Sequence, residues 1–279
     1  MSLISDTNIP KNIYICFKHK HLPPKVIANW KKLNPDFNVF LFDDNDCIRF
    51  LTEYYGPRFA YIFDSIPDGA IKSDFWRVCV LYKMGGVYAD ADIEPLISIS
   101  QFVQPGIHML TSHSMWGPKV NVGSGPDALN PHFIIAEAGS PVLKKCIDSY
   151  LQLSSTNTMY NYWLWSITGI MAAALRDVTM KNVINSKPTE VITDDGLKLQ
   201  FLHEHGPGGE TIAGESSLVG CYYDGIEVLK NRYDDYKHWN TRTEFETRRR
   251  EANNKGLKGL TPVRRVATTK WSYGSLRQF

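Results

Sequence analysis

The sequence predicts an α/β fold built as a single domain over residues 1–279, and three observations predict it. Short β-prone runs and helix-spaced segments alternate through the first hundred residues, which argues for parallel strand pairing around a central sheet flanked by helices. The chain has 279 residues, 43% hydrophobic and 22% charged, an ordinary globular balance that excludes disordered, collagen-like and coiled-coil chains. No repeat, low-complexity linker or composition break divides it before a basic C-terminal segment, residues 241–279.

The elements follow in order. Ile13-Tyr14-Ile15-Cys16-Phe17 reads as a strand, ended by a basic, Pro-containing loop from Lys18 to Pro24. Lys25 to Leu33 has helical spacing and is stopped by Asn34-Pro35; Val39 to Phe42 is a second strand, with Asp43-Asp44-Asn45 offering caps for a helix through Phe50. Ile71, Phe75, Val78, Cys79 and Tyr82 form one apolar helical stripe, started by Asp68 and ended by Gly85-Gly86. Val87 to Asp90 then reads as a strand, whose alternation sets Tyr88, Asp90 and Asp92 on one face. Beyond residue 100, Pro105 to Pro126 reads as loops, Ser140 to Leu153 and Tyr162 to Arg176 as helices, and residues 203–225 as loops with a hairpin.

Charge and cysteines narrow the partners. Residues 241–279 hold ten Lys/Arg against three Asp/Glu, a local +7, so the chain's net +2 leaves the first 240 residues at −5. Such a segment is a solvated surface or attracts an anionic partner such as a membrane surface; nothing resembles a nucleic-acid-binding signature, and no nucleic-acid partner is expected. Five scattered cysteines without a Cys-x-x-Cys pair point to neither disulfides nor zinc and fit a reducing compartment. Met1 to Asp6 lacks the character of a signal peptide and no apolar run reaches membrane-span length, so the expected location is cytoplasmic or peripheral to a membrane.

Asp90 and Asp92, two residues apart at a strand end, suit a hard divalent cation, which takes oxygen ligands and keeps positions for water or phosphate oxygens. An Asp-x-Asp alone is weak, since a solvated turn has the same composition. Its setting strengthens it: a helix carrying Lys72, Asp74 and Arg77 leads through Gly85-Gly86 straight into the acids. An EF-hand starting at Asp90 fails, because Pro95 and Gln101 stand where Gly and Glu are required. A phosphatase with Asp90 as nucleophile is disfavoured by Glu94, and no P-loop or dinucleotide fingerprint occurs. Asp74 and Arg77 would otherwise be an exposed i,i+3 ion pair, worth about 0.2–0.5 kcal/mol.

Ile9-Pro10-Lys11-Asn12-Ile13, Asn29 to Asp36, Leu41-Phe42-Asp43-Asp44, and above all Ala70 to Arg77 leading into Leu81-Tyr82-Lys83-Met84-Gly85-Gly86-Val87-Tyr88-Ala89-Asp90-Ala91-Asp92 together resemble glycosyltransferase family 32. The family includes fungal initiating α-1,6-mannosyltransferases and vertebrate α-1,4-galactosyl- and N-acetylglucosaminyltransferases. The resemblance covers residues 9–100 and implies a GT-A fold with a mixed, mainly parallel sheet, a nucleotide-sugar donor, a glycan acceptor, manganese or magnesium, and retention of anomeric configuration. It implies Asp90 facing the donor ribose and, through water, the metal. Asp92 is then the direct metal ligand, while Asp74 and Arg77, with Lys72 beside them, contact donor sugar and diphosphate. Tyr14 and Phe17 stand where the family has His and Trp, at the base-stacking position. His238 and Trp239 resemble a late element closing over diphosphate and metal, and Asn130 to Phe133 and Thr168-Gly169 resemble shorter family segments. The expected function is therefore a metal-dependent retaining hexosyl- or N-acetylhexosaminyltransferase, with a UDP-sugar preferred to GDP-mannose as donor. A metal-dependent phosphatase and a non-catalytic nucleotide-sugar or glycan binder are the alternatives.

Overall fold

The computed structural model describes residues 8–114, 129–156, 160–181, 183–205, 220–230 and 242–255. The first half follows the expected alternation: β1 (Asn12–Cys16), α1 (Pro24–Leu33), β2 (Asn38–Phe42), α2 (Asp44–Tyr55), α3 (Pro57–Ser65), α4 (Gly69–Met84) and β3 (Gly86–Ala89). Asp43 caps α2 in a reciprocal box with Asp46, and the Asp68 carboxylate accepts from the Ala70 amide at 2.8 Å to start α4. At the strand entry, Gly86 has φ +104°, and a Cβ there would lie 2.7 Å from the Asn12 carbonyl oxygen. Only glycine lets β3 come this close to β1.

The second half supplies β4 (Glu94–Pro95), β5 (Met109–His113), β6 (Phe133–Ala136), α5 (Pro141–Ser155), α6 (Tyr162–Trp165), α7 (Ile167–Thr179), α8 (Val183–Ser186), β7 (Glu190–Ile192), β8 (Lys198–His205), β9 (Gly220–Tyr223), β10 (Ile226–Lys230) and α9 (Arg242–Lys255). Among the described residues ten strands form one sheet in the order β2-β1-β3-β6-β5-β8-β9-β10-β4, with β7 on β8. The sheet is mixed, as expected, but parallel pairing does not predominate. Among the described residues it joins β1 to β2 and β3, and β5 to β8, while the other six pairings are antiparallel. The cause is local: β6 enters against β3, and β8 to β10 run as a meander with its turn at Asp224-Gly225.

Strand alternation builds a core on each face. Ile13, Ile15, Val39, Leu41, Val87 and Ala89 pack with Trp30 of α1 on one side. Tyr14, Phe40, Phe42 and Tyr88 pack with Phe75 and Trp76 of α4 and with α5 and α7 on the other. The opposed strand directions bring the C-terminal ends of β1, β2, β3, β5 and β8 and the start of β6 to one sheet edge. No helix among the described residues is long and apolar enough to cross a membrane.

Candidate functional site

The acids lie at that edge. β3 ends at Ala89, and the chain turns at once, the Ile93 amide donating to the Asp90 carbonyl at 3.1 Å. Strand alternation therefore holds for Tyr88 and Asp90 but not for Asp92, which sits inside the turn. The Asp90 side chain is 31% exposed, whereas Asp92 is 8% exposed. The Asp90 amide donates to the His132 carbonyl at 2.8 Å, pinning the turn to the segment before β6.

Arg77 organises the site from below. Its Nη2 lies 2.9 Å from Asp74 Oδ1 and 3.1 Å from Asp90 Oδ1, Nη1 donates to the Pro131 carbonyl at 2.5 Å, and Nε donates to the Ser73 carbonyl at 3.3 Å. The guanidinium carbon rests 4.5 Å from the centre of the Tyr88 ring, and the Tyr88 hydroxyl donates to Asp90 Oδ1 at 2.6 Å. Asp74 uses its second oxygen to accept from the Ile167 amide at 3.1 Å, capping α7. The exposed ion pair and the direct diphosphate grip expected of Asp74 and Arg77 are not what the fold presents: both are buried, because α4 is covered on nearly all sides, and every nitrogen of Arg77 is engaged by the protein. Arg77 reaches the surface only through Asp90. Both contacts fall on Asp90 Oδ1, and Oδ2 makes no hydrogen bond among the described residues.

Burial sets the protonation. Loss of water pushes the Asp74 carboxyl up to about 6, with Arg77 and the Ile167 amide opposing. Arg77 is held charged although burial works against it, because Asp90, the Tyr88 ring and Asp74 surround it. Tyr88 is driven above its ordinary value by burial and stays a hydrogen-bond donor.

The remaining expected residues divide. Phe17 follows β1 at the same edge, half-buried, its ring 5.0 Å from that of His19. Tyr14 is not available for base stacking: it is buried in the core, stacked on Phe40 at 5.7 Å. Lys72 does not join the acids either, since its amine lies 3.1 Å from Asp44 and 4.0 Å from Asp64. Asn130 to His132 do reach the edge before β6, and Thr168-Gly169 fall in the first turn of α7. His238 and Trp239 lie outside the described residues, as does most of 241–279. Its described part, α9, is not a loose appendage: Asn253 accepts from the Tyr162 amide at 2.8 Å, and Arg249 lies over the Trp163 ring.

Sequence reasoning missed the Tyr88 hydroxyl and the Pro131 carbonyl as organisers of Asp90. The two-residue offset of Tyr88 from Asp90 could have signalled the first; nothing local signals the second. Carboxylate oxygens from Asp90 and Asp92 at one turn, with the Arg77 and Tyr88 contacts confined to Asp90 Oδ1, fit a hard divalent cation. A cavity of about 200 Å³ lined by His108, Glu137, Ser140 and Leu197 lies at the opposite sheet edge, away from these acids.

Residues 23–115 match the family described as glycosyltransferase sugar-binding region containing DXD motif. The initiation-specific alpha-1,6-mannosyltransferase of Candida albicans is 27% identical over 127 residues, 42% of this chain and 33% of that protein. Inositol phosphoceramide mannosyltransferase 3 of Schizosaccharomyces pombe is 34% identical over 88 residues, 30% of this chain and 24% of that protein. The chain thus spans about a quarter to a third of the length of these relatives. Among solved structures, the PaToxG glycosyltransferase gives a TM-score of 0.44 at 19% identity over 64% of this chain and 72% of that one.

Proposed function

We propose, on the match of residues 23–115 to a DXD-containing glycosyltransferase sugar-binding region, that the chain transfers a hexosyl unit from a nucleotide-diphosphate donor to a glycan acceptor with retention of configuration. The observation that carries the reading is Asp90, set at the sheet edge by Arg77, Tyr88 and the His132 carbonyl, with Asp92 in the same turn. Asp92, with Asp90 beside it, would hold a divalent cation, manganese or magnesium, which supplies Lewis-acid stabilisation to a departing diphosphate when bound. Phe17 offers the donor base an apolar face at the edge. Arg77 acts as a positioning residue: it fixes the rotamer of Asp90, while Asp74 anchors Arg77 and the start of α7. The low-dielectric floor beneath Asp90 strengthens these interactions and spares reorganisation during transfer. In a same-face transfer the acceptor hydroxyl gives its proton to the departing phosphate oxygen, so no protein base is required.

The mannosyltransferases among the relatives favour a mannosyl donor, whereas the sequence reading favours UDP. The basic segment 241–279 is proposed to meet an anionic surface near the acceptor. The test is nucleoside-diphosphate release from a panel of UDP-hexoses and GDP-mannose, with manganese and with phosphomonoesters as a control. Release from one donor class, stopped by chelation, is expected. Hydrolysis of phosphomonoesters with no donor turnover would replace the transferase reading by the phosphatase one.

A further inference from the structure

His132, whose carbonyl accepts from the Asp90 amide, also belongs to a group of three potential ligands of unlike chemistry. His132 precedes β6, Glu204 lies on β8 and Cys221 on β9; all three are buried, and one ligand atom from each lies within 4.8 Å of the others. His132 Nε2 is 3.2 Å from Cys221 Sγ, and Nδ1 is 3.5 Å from Glu204 Oε1. Nδ1 is enclosed and makes no hydrogen bond, a costly condition for a buried polar atom. Asn130 donates to Glu204 Oε1 at 2.6 Å and so orients the carboxylate, as the second shell of a metal ligand does.

Cys221 at Nε2 and Glu204 at Nδ1 would also suit a proton relay through the ring, but burial denies the sulfur an external substrate, and one ligand atom from each residue lies within the same 4.8 Å. A sulfur, a nitrogen and an oxygen within this span match a tetrahedral borderline ion, with water as a fourth ligand, and do not match the all-oxygen set preferred by magnesium or manganese.

We propose that His132, Glu204 and Cys221 form a second metal site, selective for zinc, that ties β6 to β8 and β9 beneath the Asp90 edge. Binding converts the Cys221 thiol to a zinc thiolate and releases its proton to solvent, with no change of oxidation state. The site is structural and independent of the proposed transferase activity.

The test uses the full chain, stripped with a chelator and titrated with Co2+ as a spectroscopic probe and with Zn2+ as competitor. One Co2+ per chain with a thiolate-to-cobalt charge-transfer band, displaced by zinc, is expected. Glu204→Gln, close in shape, should weaken binding by about 100-fold, and Cys221→Ser should remove the band. Asp92→Asn should leave the band intact, which separates this site from the proposed donor site. A His203→Ala/His205→Ala double variant should also leave it intact, because those half-buried imidazoles on β8 lie outside the cluster. Absence of the band in folded wild-type protein overturns the proposal, as does its persistence in Cys221→Ser. Loss of the band in the double-histidine variant would assign the ion to that histidine pair instead.

Discussion

Two donors converge on one oxygen of Asp90, and the consequences are measurable one side chain at a time. Tyr88→Phe deletes a 2.6 Å hydrogen bond to a carboxylate, worth about 1.5–3 kcal/mol, while keeping the ring that packs on Arg77 and Trp76. Donor turnover should fall by about tenfold with a small drop in Tm. Arg77→Lys removes the planar fork that reaches Pro131, Ser73, Asp74 and Asp90 together. Because the pair is buried, both Tm and turnover should fall; unchanged stability would mean that the network is dispensable. Asp74 carries the pH dependence. Its folded value, about 6, lies above the ordinary 3.8, so the folded protein keeps a proton that the unfolded chain releases between these values. The group's stabilising contribution is therefore full below about pH 4 and is lost as pH rises to about 6. Asp74→Asn keeps an acceptor for the Ile167 amide and should flatten that part of the stability profile in denaturant melts at pH 4 to 7. An unaltered slope would mean that another group titrates there.

Elements were legible where periodicity and caps agree. The stripe from Ile71 to Tyr82, the Asp68 cap and the Gly85-Gly86 stop define α4 in both sequence and structure. The stripe does not reveal that Asp74 and Arg77 are buried too, because their partners come from α7, β3 and the segment before β6, all distant in sequence. β5 lies inside the span read as loops, since Met109 to His113 has a polar C-terminal half and neighbours rich in Gly and Pro. α3 escaped notice because it follows α2 across Gly56 alone. The helix read over residues 162–176 is two, broken at Ser166, whose side chain accepts from Thr168 while Asp74 takes the Ile167 amide. Gly86→Ala places a Cβ 2.7 Å from the Asn12 carbonyl at φ +104° and should destabilise the chain by about 1–3 kcal/mol in a denaturant melt. A neutral result would mean that β1 and β3 can part without cost.

Across the whole molecule, topology does what spacing cannot. Alternating strands and helices announced an α/β sheet, and the parallel group β2-β1-β3 follows that rule. The antiparallel insertion of β6 is what delivers the Pro131 and His132 carbonyls to Arg77 and Asp90, and no pattern near Asp90 reveals it. The matched region ends at residue 115, so His132, Glu204 and Cys221 all lie beyond it. The proposed function requires the Asp90–Ile93 turn to hold a divalent cation together with a nucleoside diphosphate. Electron paramagnetic resonance of Mn2+ titrated into wild type and Asp92→Asn, with and without UDP or GDP, measures this most directly. One Mn2+ per chain is expected in the wild type, tightened by the diphosphate, with loss of that binding in the folded variant. Equal binding in both proteins would contradict it.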